Sequence, residues 1–570
     1  MRWTLAAAAM LVAAFPLVID PGPAEAQSAD DLKNDSATPG DILTYGMGYD
    51  LKRFSPLDQI NAGNVADLVP VWTYSLAGTR GQETQPIVRD GVMYVTTNDS
   101  SSAIDVKSGK QLWKVAHQYP EQTNRVACCG IVNRGFAIKD GMLYRTLLDA
   151  NLLALDAKTG EEKWRSQAID FRDGYSMTVT PLVVGDVVIT GISGGEYGIR
   201  GFIDGWDTKT GKHLWRRYTI PGEGEKGNET WSGDSWKHGG APAWMTGSYD
   251  PELDLVYWGV GNGGPWNPFV RKGDNLYVGS MLALKPQTGE IAWHYQFSPN
   301  DPFDYDGVND LVLADLEIGG KPRKVVMQAN RNGFFYVLDR ATGELLSAKP
   351  FVDKLTWADG VDMKTGRPIH SAAVKKMYEE GEGYEVNVWP SALGGKNWAP
   401  ISYSPKTGLA YINTLNIGWN YKAVEPDYRA GVFYFGAEFA WDWPKGDEPR
   451  GILRAFNPAT GEKKWDFPSA IPMNGGVLST AGNVVFSGAQ TGELYALDAE
   501  TGKQLWKFQT GSGIIAPPVT YEVDGVQYVT VASGLGGVYA LFSGDERLAA
   551  VPPGGAIYTF ALFDKMRATN

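Results

Sequence analysis

The chain has 570 residues, 43% hydrophobic and 12% aromatic, with 69 Gly, 33 Pro and 20 Trp. That is enough apolar mass for a large core and too many turn formers for a protein of long helices, so an all-β repeat protein fits best. A formal charge of −13 opposes binding to nucleic acid or an anionic lipid surface, while permitting a basic protein partner.

Met1-Arg2 precedes an apolar run from Leu5 to Ile19 and the small-x-small triplet Ala24-Glu25-Ala26. This is the layout of an export signal cleaved before Gln27. Residues 1–26 are expected to be removed, leaving 27–570 as one soluble domain in the periplasm. No later stretch approaches the roughly 20 consecutive apolar residues of a spanning helix, so no membrane span is expected.

A self-similar unit then recurs: Ala103 to Trp113 around Gly109, Ala154 to Trp164 around Gly160, and Gly205 to Trp215 around Gly211. Further copies centre on Gly289 with Trp293, Gly343 with Ser347 in the Trp place, Gly461 with Trp465, and Gly502 with Trp506. Each predicts a strand, a tight turn whose Gly supplies positive φ, and a second strand opening at the Trp. A repeat of about 50 residues signals stacked four-stranded sheets, hence a β-propeller. Filling the long gap after Gly343 with one degenerate unit gives eight blades.

The only two cysteines, Cys128 and Cys129, are adjacent. A vicinal disulfide, two free thiols and an intermolecular link are all open; the bridge is favoured, because strain of that kind is kept at functional sites. No Cys-x-x-Cys-His occurs, which excludes covalent c-type haem, and the five His show no zinc-like spacing.

Two segments interrupt the repeats. Residues 353–387 are polar and charged, the composition of a solvated excursion. Residues 421–450 carry Tyr428, Phe433, Tyr434, Phe435, Phe439, Trp441 and Trp443 among Gly and Pro. They form either a satellite core under a long loop or the wall of a substrate entrance.

Between these lies Asn300-Asp301-Pro302-Phe303-Asp304-Tyr305-Asp306-Gly307. Its crowded carboxylates repel one another unless a cation sits among them, and alternation places Asp304 and Asp306 on one side of an extended segment.

Taken in order, the loops around Glu83, Cys128-Cys129 to Arg134, Ser193-Gly194-Gly195-Glu196, Trp244, Asn262, Asp304/Asp306, Arg331 and Asn397-Trp398 resemble those of the pyrroloquinoline-quinone (PQQ)-dependent alcohol dehydrogenases. The resemblance covers essentially all of 27–570 and is nearest to the soluble ethanol-type branch. It implies an eight-bladed propeller with Trp-docking motifs and the quinone and a metal on its axis.

Carried over residue by residue, it implies a Cys128–Cys129 disulfide on one face of PQQ and Trp244 on the other. Arg134, Arg331, Glu83, Thr146, Ser193, Gly194, Gly195, Asn397 and Trp398 fall at rim positions. Glu196, Asn262 and Asp304 match metal-binding positions, with Asp304 and Arg331 catalytic. Asp306 matches the extra carboxylate of lanthanide-using members, so a lanthanide(III) ion is expected, with Ca²⁺ as runner-up. Asn474 and Val538 stand where the methanol-oxidising branch carries Trp, which implies a roomier pocket.

The implied reaction is oxidation of an alcohol to an aldehyde or ketone by hydride transfer to the quinone, with a soluble cytochrome c as electron acceptor; a homodimer is compatible with the resemblance. Two rivals stand beside it. One is a PQQ-dependent dehydrogenase of sugars or bulky secondary alcohols; the other, from a different class, is a non-catalytic propeller scaffold of outer-membrane assembly.

Overall fold

The computed structural model describes residues 29–77 and 81–568, so the export signal expected over 1–26 lies outside it. Strands dominate. Among the described residues eight sheets of four or five strands succeed one another, and seven take their four main strands from one stretch of chain each, over residues 87–116, 137–167, 182–218, 248–296, 312–350, 402–469 and 477–509. The eighth pairs the early strand Leu68–Ser75 with the late strands Val519–Val523, Val526–Ser533 and Ala556–Leu562. Early and late chain therefore share one hydrogen-bonded ladder, from Leu68↔Leu562 to Ser75↔Ala556. Among the described residues no helix is long and apolar enough to cross a membrane.

The repeat unit has a physical explanation at each turn. In the second copy, Asp156 accepts hydrogen bonds from Thr159 N–H (3.0 Å) and its hydroxyl (3.1 Å), while Gly160 takes φ +73°. A Cβ on Gly160 would lie 2.7 Å from the ring of Trp113, the Trp of the preceding unit, whose indole N–H donates to Ala157 O at 3.0 Å. A flat ring covering a bare glycine lets adjacent sheets approach closely. The same pairing joins Trp72 to Gly109, Trp164 to Gly211, Trp215 to Gly289, Trp293 to Gly343 and Trp465 to Gly502. Where Ser347 replaces the Trp, the Lys349 stem covers Gly461 instead.

The gap after Gly343 does not contain the extra four-stranded unit that the repeat count puts there. It holds the hairpin of Ala358–Val361 and Pro368–His370, the helix Ala372–Glu380, and a three-stranded sheet of Glu385–Val388, Gly418–Ala423 and Ala437–Asp442. The eighth sheet escapes a repeat count because its turns lack the Gly-x-x-x-Trp spacing. Nor is the 353–387 excursion wholly solvated, since Trp357, Val374 and Met377 are buried.

Candidate active site

The loops leaving one end of successive sheets converge on a cavity with about 1070 Å³ of empty space, its open mouth included. Glu83 precedes the strand Ile87–Arg89; Cys128, Cys129 and Arg134 precede Ala137–Lys139; Ser193, Gly194 and Glu196 follow Val187–Gly191. Trp244, Asp304, Arg331, Asn397 and Trp398 complete the predicted lining from later sheets. The two cysteines are bonded to each other, so of the three states open to the sequence the vicinal disulfide is the one formed.

The chemistry concentrates around Arg331. Its Nη1 donates to Asp304 Oδ2 at 2.7 Å and to the Asp304 carbonyl at 2.9 Å, and its Nη2 lies 2.8 Å from Asp306 Oδ2. The other Asp306 oxygen accepts the Asn262 N–H at 2.5 Å. Asp301, outside this ring, accepts from Phe303 N–H (3.1 Å) and Tyr305 N–H (2.8 Å) and so shapes the loop. Asp304 itself takes φ +63°, a left-handed conformation held by these contacts.

Dry surroundings and mutual repulsion raise every carboxyl here. Glu196 is pushed up to about 7 by desolvation and then by Asp306, and Asp301 to about 6 by burial. Desolvation lifts Asp304 well above the usual carboxylate range, with Arg331 opposing it and Asp306 and Glu196 adding to it. Asp306 rises through the same burial, against the pull of Arg331.

One guanidinium does not neutralise this set. The buried Asp304 Oδ1, Asn262 Oδ1 and Asn262 Nδ2 have no protein partner. A Cβ on Gly195 would lie 2.5 Å from Asn262 Oδ1, and one on Gly261 2.6 Å from Asp306 Oδ1, so both amide and carboxylate rest against bare backbone. Orphaned hard oxygens beside excess negative charge fit a hard cation. Among the described residues, however, no three His, Cys, Asp or Glu side chains converge as a preformed cluster; Asp304 and Asp306 turn to Arg331 instead.

The far rim is cationic and aromatic. Arg134 Nη2 pairs with Glu83 at 2.7 Å, both buried, and Nη1 donates to Thr178 Oγ1 at 2.6 Å. The Arg134 guanidinium lies 5.0 Å from the Trp244 ring centroid and 4.8 Å from that of Trp398. Flat rings beside guanidinium forks suit a planar ligand bearing carboxylates.

Four predicted residues do not line the cavity. Gly195, Asn262 and Asp306 form the layer behind it, as their contacts show. Thr146 stands outside the lining, its hydroxyl donating to the Val179 carbonyl at 2.6 Å, and Thr178 stands in the lining. The sequence signal for Thr178 was only its place in a polar run before a strand. An apolar wall of Val132, Trp266, Ala392, Leu393, Phe435, Phe439, Trp441, Val538 and Phe542 completes the lining; of these, Val132, Trp266, Ala392, Leu393 and Phe542 carry no site expectation from the sequence. Of the two possibilities for 421–450, the cavity wall holds for Phe435, Phe439 and Trp441. Asn474 is buried and not in the lining.

A family model described as glucose/ethanol/alcohol dehydrogenase, beta-propeller domain, matches residues 43–350, and one described as outer membrane protein assembly factor BamB matches 449–550. The quinoprotein alcohol dehydrogenase PedH of Pseudomonas putida is 41% identical, with 95% of each chain covered. A quinoprotein ethanol dehydrogenase of Pseudomonas aeruginosa is also 41% identical, covering 94% of this chain and 92% of that one. A solved europium-containing methanol dehydrogenase has a TM-score of 0.89 and 36% identity, covering 94% of this chain and 100% of its own. Likeness at this level over almost the whole length, with the site geometry above, establishes that the chain belongs to the PQQ-dependent quinoprotein alcohol dehydrogenases, all-β propeller oxidoreductases that oxidise alcohols.

Proposed function

We propose that the protein is an eight-bladed propeller, docked blade to blade through its Trp–Gly pairs, that oxidises alcohols at the Asp304–Arg331 centre in the periplasm, with a soluble cytochrome c as electron acceptor. The rim of Glu83, Arg134, Ser193, Asn397 and Trp398 would hold PQQ against Trp244 and the Cys128–Cys129 bridge. Glu196, Asn262 and Asp304 would hold the metal, with Asp306 as a further carboxylate. When bound, the quinone supplies a two-electron hydride acceptor and the metal a Lewis acid.

The protein's own part follows from one observation: Asp304 has one oxygen fixed by Arg331 and the other buried without a protein partner. The fixed oxygen sets the orientation of the carboxylate and the second is open to the metal; the carboxylate so held is the base that takes the hydroxyl proton of the alcohol. Arg331, held by two carboxylates, stays charged beside the reacting atoms and stabilises negative charge developing there.

Two considerations support a lanthanide over Ca²⁺. Asp306 adds a third carboxylate to Glu196 and Asp304, which favours a trivalent ion on Coulombic grounds. One relative of the same fold and 36% identity contains europium. A non-catalytic scaffold would leave these buried carboxylates and the orphaned Asp304 oxygen without a use.

The test is dye-linked turnover of ethanol by protein reconstituted with PQQ and a light lanthanide. The wild type should turn over, and Asp304→Ser should retain the quinone while losing turnover. Near-normal activity in that variant removes Asp304 as the base.

A further inference from the structure

Glu196 sits in a three-residue 3-10 turn, Gly195–Tyr197, entered at Gly194 (φ +124°) and left at Gly198 (φ +66°). Glycine on both sides permits this path but gives it little stiffness of its own. A metal ligand on such a turn needs restraint from elsewhere.

That restraint is visible in the aromatic segment 421–450. Strands Gly418–Ala423 and Ala437–Asp442 pair up to Ala423↔Ala437, and Val424 N–H donates to Gly436 O at 3.0 Å. The connection 424–436 is thus a closed loop standing off the hairpin. From it, Tyr434 N–H donates to the Glu196 carbonyl at 2.7 Å. The Phe433 ring stacks on Tyr197, with centroids 4.8 Å apart and planes at 19°. Gly198 lacks a Cβ where one would meet the Tyr434 ring at 2.8 Å and the Tyr428 ring at 3.1 Å, so the loop rests directly on the turn.

The other side of the loop is anchored. Phe433 stacks on Phe435 at 4.9 Å, Phe435 packs on Trp266 at 4.7 Å, and Trp266 N–H donates to Phe435 O at 2.6 Å. Phe433 nevertheless remains 41% exposed. Burial of apolar surface is therefore an incomplete account of this side chain, whereas stacking on the neighbour of Glu196 is a specific one.

We infer that the 424–436 connection is a strap that positions Glu196 for metal binding, and that Phe433 is its positioning residue. The inference rests on Glu196 being a metal ligand, as proposed above. Supporting residues around a metal site change affinity by about 10–100-fold when removed. For a side chain one residue removed from the ligand, the lower end applies.

The experiment titrates the purified full-length chain, in the presence of PQQ, with Tb³⁺ and separately with Ca²⁺. Tb³⁺ binding is read from luminescence sensitised by protein tryptophan, Ca²⁺ binding by calorimetry. Phe433→Ala should weaken Tb³⁺ binding by about 10-fold, Phe433→Tyr should restore it, and Val432→Ala, a neighbouring exposed change, should leave it unaltered. Phe433→Leu keeps apolar bulk without the ring and serves if the Ala variant does not fold; it too should weaken binding. Glu196→Ala separates the two levels of the claim. If Glu196→Ala weakens binding while the Phe433 variants match wild type, the strap is wrong and the ligand stands. If Glu196→Ala binds as wild type does, the ligand assignment falls and the strap falls with it.

Discussion

Arg331 grips Asp304 at two atoms, donating from one nitrogen to the carboxylate at 2.7 Å and to the backbone carbonyl at 2.9 Å. Its other terminal nitrogen holds Asp306. A lysine at this position offers a point charge in place of a fork and cannot span both carboxylates. Arg331→Lys should therefore lower kcat by roughly 10²–10³-fold, counted per bound quinone, which absorbance measures.

Asp306 accepts the Asn262 N–H at 2.5 Å and adds charge to a site already rich in it. Asp306→Ala should abolish lanthanide-supported turnover while sparing calcium-supported turnover. Parallel assays of the variant with each metal decide this, and equal retention of both would refute the charge argument for metal choice.

The Trp–Gly contacts predict a graded stability effect. Gly160 (φ +73°) faces the Trp113 ring at 2.7 Å, whereas Gly141, also at φ +73°, has nothing within 4 Å of where a Cβ would go. Ala at either site bears the same backbone strain; only Gly160→Ala also displaces the ring. Gly160→Ala should be less stable than Gly141→Ala by about 1–3 kcal/mol in denaturant unfolding. Equal losses would mean that the ring contact contributes nothing.

These contacts also show why so much of the fold was legible in the sequence. Among the described residues seven of the eight sheets carry a Gly-centred tight turn, in six of those a Trp follows at a fixed offset, and five of these six Trp cover the glycine of the next sheet. The eighth is assembled from segments hundreds of residues apart, and no local spacing records that pairing. The site divides in the same way. Cys128, Cys129, Glu196, Asp304 and Arg331 lie in short, compositionally odd loops that stand out. Phe435, Phe439, Trp441 and Phe542 reach the cavity through an excursion whose direction depends on tertiary contacts, and Thr178 and Thr146 are indistinguishable until one is seen bonded to Val179.

A pH effect should appear away from the active site. His117, 7% exposed, lies 2.8 Å from the Ser101 hydroxyl, and burial, with Arg145 nearby, depresses its pKa to about 3. The unfolded chain takes up this proton near pH 6.5 and the folded chain does not, so stability falls as pH drops from about 6.5 toward 3. Between pH 7 and pH 5 the loss from this group is about 2 kcal/mol. His117→Gln should flatten that part of the stability profile; an unchanged slope would show that His117 is not its source.

The central claim is that Asp304 is the base of a quinone-dependent alcohol oxidation. It is tested most directly by mixing ethanol with protein loaded with PQQ and a light lanthanide and following quinone absorbance in a single turnover. Wild type should show rapid conversion of the bound quinone to its reduced form, and Asp304→Ser should hold the same amount of quinone but convert it about 10²–10⁴-fold more slowly. Equal rates in the two proteins would contradict the account.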